Sequence, residues 1–297
     1  MKKKINTALP ALSRMGVLLL IIVMGVIIDP SFLSLRNISN NLANASILII
    51  LGVGETVAII TNGPDLSAGS IMTMGGVVTA ILLKNYQIHF VVAILGGLAV
   101  GALLGAINGY MIAYIKIPAF ISTYGLQWAV FGFAYVVLNG YVIYSFDDAF
   151  RFIGNGAVFK YFSMTTVCMM VIAVIGTLLL KHTTLGRKFY SVGSNAVQAN
   201  MSGIDSKKVI MKAFVFSGLM SAAAGILYVA RMNSVQSDIG SAYLLNVLAA
   251  VYSYFTVNGR KILAVGISPE ASRIAGTNVR CVKWGCMVFA GVMAGVC

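Results

Sequence analysis

Apolar residues in this chain come in long unbroken runs, and short segments rich in Asn, Asp, Gly, Ser, Lys and Arg cut the runs apart. A helix rises about 1.5 Å per residue and the hydrocarbon core of a bilayer is about 30 Å thick, so roughly 20 apolar residues cross it. On that measure the pattern predicts helices near residues 14–29, 41–62, 69–84, 88–115, 118–138, 162–180, 209–230, 242–257 and 284–297. The eighth and ninth are short. Strands of a membrane barrel would alternate apolar and polar positions, and these runs do not. Because backbone polar groups in lipid must be satisfied within the segment, the pattern predicts an all-α fold, a polytopic transmembrane bundle of about nine spans.

Composition agrees: 59% of the 297 residues are apolar and 10% are charged, against about 25% charged in a soluble domain. The opening MKKKINTALPALSRMGVLLLIIVMGVIIDP has a basic head and an apolar run but no small-x-small cleavage site before Asp29-Pro30, so it reads as the first span. The net charge of +13 raises the question of a nucleic-acid partner. Placing the N-terminus in the cytoplasm puts sixteen Lys and Arg on that side and leaves five outside (Arg36, Lys84, Arg151, Lys160 and Arg231). That is the asymmetry of the positive-inside rule, so the charge speaks for topology and for a docking partner, not for nucleic acid. Residues 139–161, aromatic and carrying Asp147, Asp148 and Arg151, then lie outside as an interfacial anchor or a resting place for an external protein.

Nothing in the sequence points to an enzyme. There is no phosphate-loop motif, no nucleophile and base pair suggests itself, and His89 and His182 have no ligand partner at helical spacing, so no catalytic residue, metal or cofactor is expected. Cys168, Cys281, Cys286 and Cys297 lack metal-like or disulfide-framework spacing. Two acids stand out. Glu55 lies inside the second span, and a carboxylate there must face the bundle interior, as a structural residue or as part of a solute path. Asp65 lies in NGPDLSAGS (62–70), where Pro64 ends one helix and Asp65 or Ser67 can cap the next; with Gly69 the segment is either a cap in a loop or a helix break lining the path. Gly97, Gly101, Gly105 and Gly109 recur every four residues on one face of the fourth span, for close packing or for a sliding surface.

NGPDLSAGS resembles the G-G-x-D-L-S-x-G-S stretch of the inner-membrane permeases of bacterial ABC importers for ribose, xylose, galactosides and related sugars. IPAFISTYG (117–125) is similar to that family's PAFIATLG segment, and TTLGRKFYSVGSNAVQANMSGI (183–204) to its T-x-x-G-R-x-x-Y-A-V-G-x-N-x-x-A-A-x-x-S-G-I. The resemblance implies a permease that pairs with a second permease subunit, itself or another. Such a pair receives a monosaccharide from a periplasmic sugar-binding protein and is driven by a separate cytoplasmic ABC ATPase. It implies that residues 183–208 form the ATPase-coupling loop, with Gly186, Arg187, Lys188, Gly193, Asn195 and Gly203 as its marked positions. Chemically that fits: Arg187 and Lys188 supply charge, Gly193 and Gly203 allow turns, and Asn195 can cap a short helix. Alternating access carrying a ribose-like sugar is the expected activity. An ion-coupled transporter using Glu55 and Asp65, and an inactive recombined chain, stay open as alternatives.

The last alternative arises from a repeat. GRKFYSVG (186–193) returns as GRKILAVG (259–266), and an ungapped offset of 73 matches eleven positions between residues 186–224 and 259–297. The spacing encloses two crossings, so both loops fall on the same side. The expected organisation is one membrane-embedded domain over 1–297 in which 259–297 is a partial second copy of the coupling loop and the span after it. The second copy carries Pro269-Glu270 where the first has Ala196-Val197, which suggests that it comes from a related permease. Where the resembling family continues into a glycine-rich stretch and further spans, this chain re-enters a loop copy at Gly259, and impaired transport is expected.

Overall fold

The computed structural model describes residues 22–61, 63–158, 162–244 and 247. The expected span 284–297, the second loop copy, most of span 242–257 and the first half of span 14–29 lie outside the described residues. The chain divides into two units, residues 1–38 with 252–297, and residues 39–251. In the first, residues 22–28 are helical and Asp29 opens a single 3₁₀ turn, Pro30–Leu33, by accepting hydrogen bonds from the Ser31 amide and hydroxyl, each at 2.8 Å.

The helices that follow are α1 (Leu35–Ile60), α2 (Ala68–Lys84), α3 (Phe90–Ala113), α4 (Ala119–Leu138), α5 (Asp148–Asn155), α6 (Met164–His182), α7 (Thr184–Ser194), α8 (Ala196–Met201) and α9 (Ser206–Met232). Five of them, α1, α3, α4, α6 and α9, are long and apolar enough to cross a membrane, and α2 is a shorter apolar helix. Each matches a predicted span; α1 begins six residues before the expected 41 and α9 three before the expected 209. Both early starts come from polar first turns. Arg36, Asn37 and Asn40 open α1, while Asp205 caps α9 by accepting from the Lys208 amide at 3.2 Å, so hydropathy alone misses the first turn.

Helix α9 is the axis of the second unit. Its Ile226, Val229 and Ala230 share one apolar core with Val77 and Ala80 of α2, Ala93 of α3 and Ala134 of α4. Ala224 and Leu227 share another with Ile47, Ile50 and Leu51 of α1, Met72 of α2 and Met169 of α6. The glycine stripe sets the α3–α9 spacing. Gly101, Gly105 and Gly109 lie against the α9 backbone at Gly218, Phe214 and Met211, while Gly97 faces Thr79 and Gly75 of α2. A methyl group on Gly105 would overlap the Phe214 carbonyl. The four glycines therefore form a seam of backbone contact, the close approach that small residues permit between membrane helices.

Residues 139–158 fold as an ordered cap over one end of α9. Strand β1 (Ile143–Tyr144) pairs antiparallel with β4 (Ser234–Val235), which follows α9, and β2 (Ala157–Val158) pairs with β3 (Phe162–Ser163). Asn233 closes α9 in the left-handed conformation, φ 55°, that Asn tolerates, and its Oδ1 accepts the Phe146 amide at 2.8 Å. The amphipathic α5 buries Phe150 beside Phe146, so the aromatics of this segment serve partly as its own core.

Candidate functional site

Between α1 and α2 the chain must break and restart without water. Pro64 has no N–H to offer, and the amides that follow it need acceptors inside the protein. Glu55 Oε1 accepts the Asp65 amide at 2.9 Å, from one and a half turns before the end of α1. Asp65 Oδ1 accepts the Ser67 amide at 3.1 Å and the Ser67 hydroxyl at 2.5 Å, and Asp65 Oδ2 accepts the Ser217 hydroxyl of α9 at 2.8 Å. Asn108 of α3 donates through Nδ2 to Ser67 Oγ at 2.7 Å, and Ser122 of α4 donates to Asn108 Oδ1 at 3.1 Å. The Thr123 hydroxyl reaches the Pro64 carbonyl at 3.4 Å.

Glu55, Asp65, Ser67, Asn108 and Ser217 are all fully buried, and Ser122 nearly so. One polar hub thus ties the helix break to α1, α3, α4 and α9. No Lys or Arg enters it; among the described residues the ion pairs are Arg151–Asp148 and Lys208–Asp205, both exposed. Within the hub the Ser67 and Ser217 hydroxyls both donate to Asp65. Its chemistry is that of a lock. Three donors converge on Asp65, each costing about 1–3 kcal/mol if left unpaired in the interior, so the break keeps this geometry until the bonds are exchanged together. Glu55 Oε2 has no partner among the described residues.

The hub gathers three of the four residues expected at the helix break or path: Glu55, Asp65 and Ser67. Ser67 occupies the cap position of α2 but makes no capping bond, because its hydroxyl is committed to Asp65. Gly69 lies elsewhere, in the first turn of α2 and hard against Gly240. Sequence reasoning missed Asn108, Ser122 and Ser217. Asn108 had a signal: it is the sole Asn in an otherwise apolar α3, between Gly105 and Gly109.

The expected coupling segment is a two-helix elbow. Thr183 caps α7 by accepting the Gly186 amide at 3.1 Å, Asn195 caps α8 by accepting the amides of Val197 and Gln198 at 2.9 and 3.1 Å, and Gly203 turns the chain at φ +81°. Gly193 does not make a turn. It sits inside α7, where its missing side chain lets the helix touch the Ile60 carbonyl at the end of α1. Gly186 is likewise buried within α7, against the carbonyls of Leu179 and Leu180. Phe189 and Val192 of α7 pack with Val57 of α1 and with Val209 and Ala213 of α9. Arg187 and Lys188 stay exposed, beside exposed Tyr190, Val197 and Met201. At the far side of the elbow Asp205 is exposed, and the Lys208 amide and ammonium hold its carboxyl below the usual carboxylate value.

A bundle of long apolar helices with a sealed polar break and a basic, half-apolar elbow is the build of a membrane permease. The chain matches the family described as "Branched-chain amino acid transport system / permease component" over residues 37–252 and again over 244–297, and it belongs to that family. It is 33% identical over 268 residues to the ribose import permease protein RbsC of Escherichia coli, covering 88% of this chain and 79% of the relative. It is 31% identical over 251 residues to the galactose/methyl galactoside import permease protein MglC of Haemophilus influenzae (78% and 74% covered). To the D-allose transport system permease protein AlsC of Escherichia coli it is 30% identical over 246 residues (82% and 75%). No solved structure matches. The chain is a multi-pass protein of the bacterial inner membrane.

Proposed function

We propose that this chain is the membrane-crossing subunit of an ATP-driven importer for a monosaccharide, in which a separate ATPase acts on the α7–α8 elbow and solute passes by alternating access. The relatives named for ribose, galactose and allose import support the substrate class. The observation that carries the mechanism is the seating of Gly193 on the Ile60 carbonyl. A push on the exposed face of α7 meets the end of α1 directly, and the same end of α1 holds Glu55 and, through it, the hub. The elbow thus has a rigid route from the cytoplasmic surface to the helix break, with no loop in between to absorb the motion. A periplasmic sugar-binding protein and a second permease subunit complete the assembly, and the whole has no chemistry of its own in this chain.

The family match over 244–297, together with the eleven-position repeat, supports reading that segment as part of a second permease copy. The test of function is uptake in proteoliposomes containing this chain, its ATPase and its binding protein. Labelled ribose should accumulate only with ATP, and Gly193→Val should leave ATP hydrolysis running while uptake falls. Uptake that persists without ATP and collapses with an uncoupler would instead assign the chain to ion-coupled transport through Glu55 and Asp65.

A further inference from the structure

A cavity of about 740 Å³ opens between α1, the end of α9 and residues 236–243, all within the second unit. That size falls within the range of small-molecule sites, about 300–1,000 Å³. Its walls carry Asn41 and Asn44 of α1, Tyr228 of α9, and Gln236, Asp238 and Tyr243 of the loop. Asn41 and Asn44 are exposed polar residues on a membrane-spanning helix, and their side chains make no hydrogen bond among the described residues. Polar groups are retained at such positions when they face a water-filled cavity.

The loop is built to present its polar side chains. Val235, Ile239, Gly240 and Leu244 are buried, while Gln236, Asp238 and Ser241 between them are exposed. Val235 is paired with Ile143, and the Gly240 amide donates to Thr73 Oγ1 at 3.0 Å with Gly240 pressed on Gly69. The wall is therefore fixed before any ligand arrives. Across it, the Tyr228 and Tyr243 rings stand edge to face with centroids 5.7 Å apart.

We propose that this cavity binds a neutral monosaccharide on its way into the bundle, a proposal that rests on the sugar-importer reading above. The lining offers amides and a carboxylate, which match vicinal hydroxyls as paired donors and acceptors, beside tyrosine rings that accept the C–H face of a sugar. An anion would meet Asp238, and no Lys or Arg stands among the described lining residues; Arg231, near Tyr243, donates to the Asn40 carbonyl. Asn41, Asn44, Leu48 and Glu55 fall on one face of α1, and Glu55 lies two turns, about 10 Å, beyond Leu48. The cavity thus ends above the hub, and the lock lies next on the same helical face.

The test uses the full chain in nanodiscs with Ser241→Cys, labelled by a membrane-impermeant maleimide, the unsubstituted chain serving as background for the native cysteines. A cysteine at Arg187, on the elbow, is the control. Ribose, galactose, allose, leucine and sucrose are the probes. A sugar at about ten times its Kd should slow labelling at 241 roughly tenfold and leave 187 unchanged, and Asp238→Asn with Gln236→Ala should remove that protection without changing the melting temperature. Protection by leucine and not by any monosaccharide overturns the proposal, as does protection by none, or equally by sucrose. Labelling needs neither ATP nor a binding protein, so a failure here is separable from a failure of ATP-driven uptake.

Discussion

Helix α1 carries polar residues at two levels of one face, and the two levels are opposite in character. At the outer level Asn41 and Asn44 are exposed, without a hydrogen-bond partner among the described residues, and border a cavity. Two turns below Leu48, Glu55 is fully buried, its Oε1 bonded to the Asp65 amide. Both are polar intrusions into an apolar helix, and the composition of the helix cannot separate them. Partnering does. A polar group that is buried and holds a backbone amide fixes a shape, and one left open over a cavity has capacity for a ligand.

The strongest way to break this comparison is to empty the hub. Asp65→Ala leaves the Ser67 amide, the Ser67 hydroxyl and the Ser217 hydroxyl without acceptors, which at about 1–3 kcal/mol each costs roughly 3 kcal/mol or more. In detergent the variant should melt far below the parent or fail to accumulate; an unchanged melting temperature would mean that the hub is not a lock. Next in size is Gly105→Leu, which forces a side chain into the Phe214 carbonyl across the α3–α9 seam. Overpacking of this kind costs about 1–3 kcal/mol and occasionally more, and fluorescence-detected size exclusion should show a smaller folded fraction.

These two sites also mark how much could be read from the chain alone. The helices were legible, because lipid demands long apolar runs and the runs are there; the six described from α1 to α9 as spans or apolar helices fall where hydropathy puts them. The glycine seam was legible from its spacing of four. The break at Pro64 and the importance of Glu55 and Asp65 were legible because carboxylates in lipid need a reason. What could not be read was pairing. Ser217 lies 152 residues from Asp65, and a serine in a membrane helix usually satisfies its own i−4 carbonyl, so nothing in its local sequence marks it. Gly193 shows the same limit. Its type suggested a turn, but the property in use is the absence of a side chain against Ile60, which only the packing of α7 on α1 reveals.

A milder change sharpens the comparison from the other side. Asn44→Leu removes an open polar group from the cavity wall, where no internal bond is lost, so the melting temperature should stay within the scatter of surface substitutions, about 0.5 kcal/mol. Protection of the residue-241 cysteine by sugar should nonetheless weaken. Glu55→Leu, at the lower level of the same face, should do the reverse, destabilising the fold because the Asp65 amide loses its acceptor. If Asn44→Leu proved as damaging as Glu55→Leu, the distinction between open and committed polar groups would fail for this helix.

The smallest effect is expected at Asp205, an exposed carboxylate that makes the same kind of bond as Asp65 but in water. It caps α9 through the Lys208 amide and pairs with the Lys208 ammonium, and these contacts hold its carboxyl below its ordinary value of 3.8. A carboxyl whose value is lowered by folding stabilises the folded state fully above its unfolded value and loses that contribution as pH falls through the folded one. Asp205→Ala should therefore melt slightly below the parent at neutral pH, with the gap closing as the pH is taken below 3.8. Asp205→Asn keeps a capping oxygen without the charge, so it should melt close to the parent and lack this acid-dependent part. Asp65 offers the contrast: Asp65→Asn can accept through one oxygen where two are used, and the Ser217 or the Ser67 hydroxyl must lose its acceptor. The same substitution is thus mild at the water-exposed cap and costly in the sealed hub, and a comparable loss at both positions would show that burial is not what makes the hub rigid.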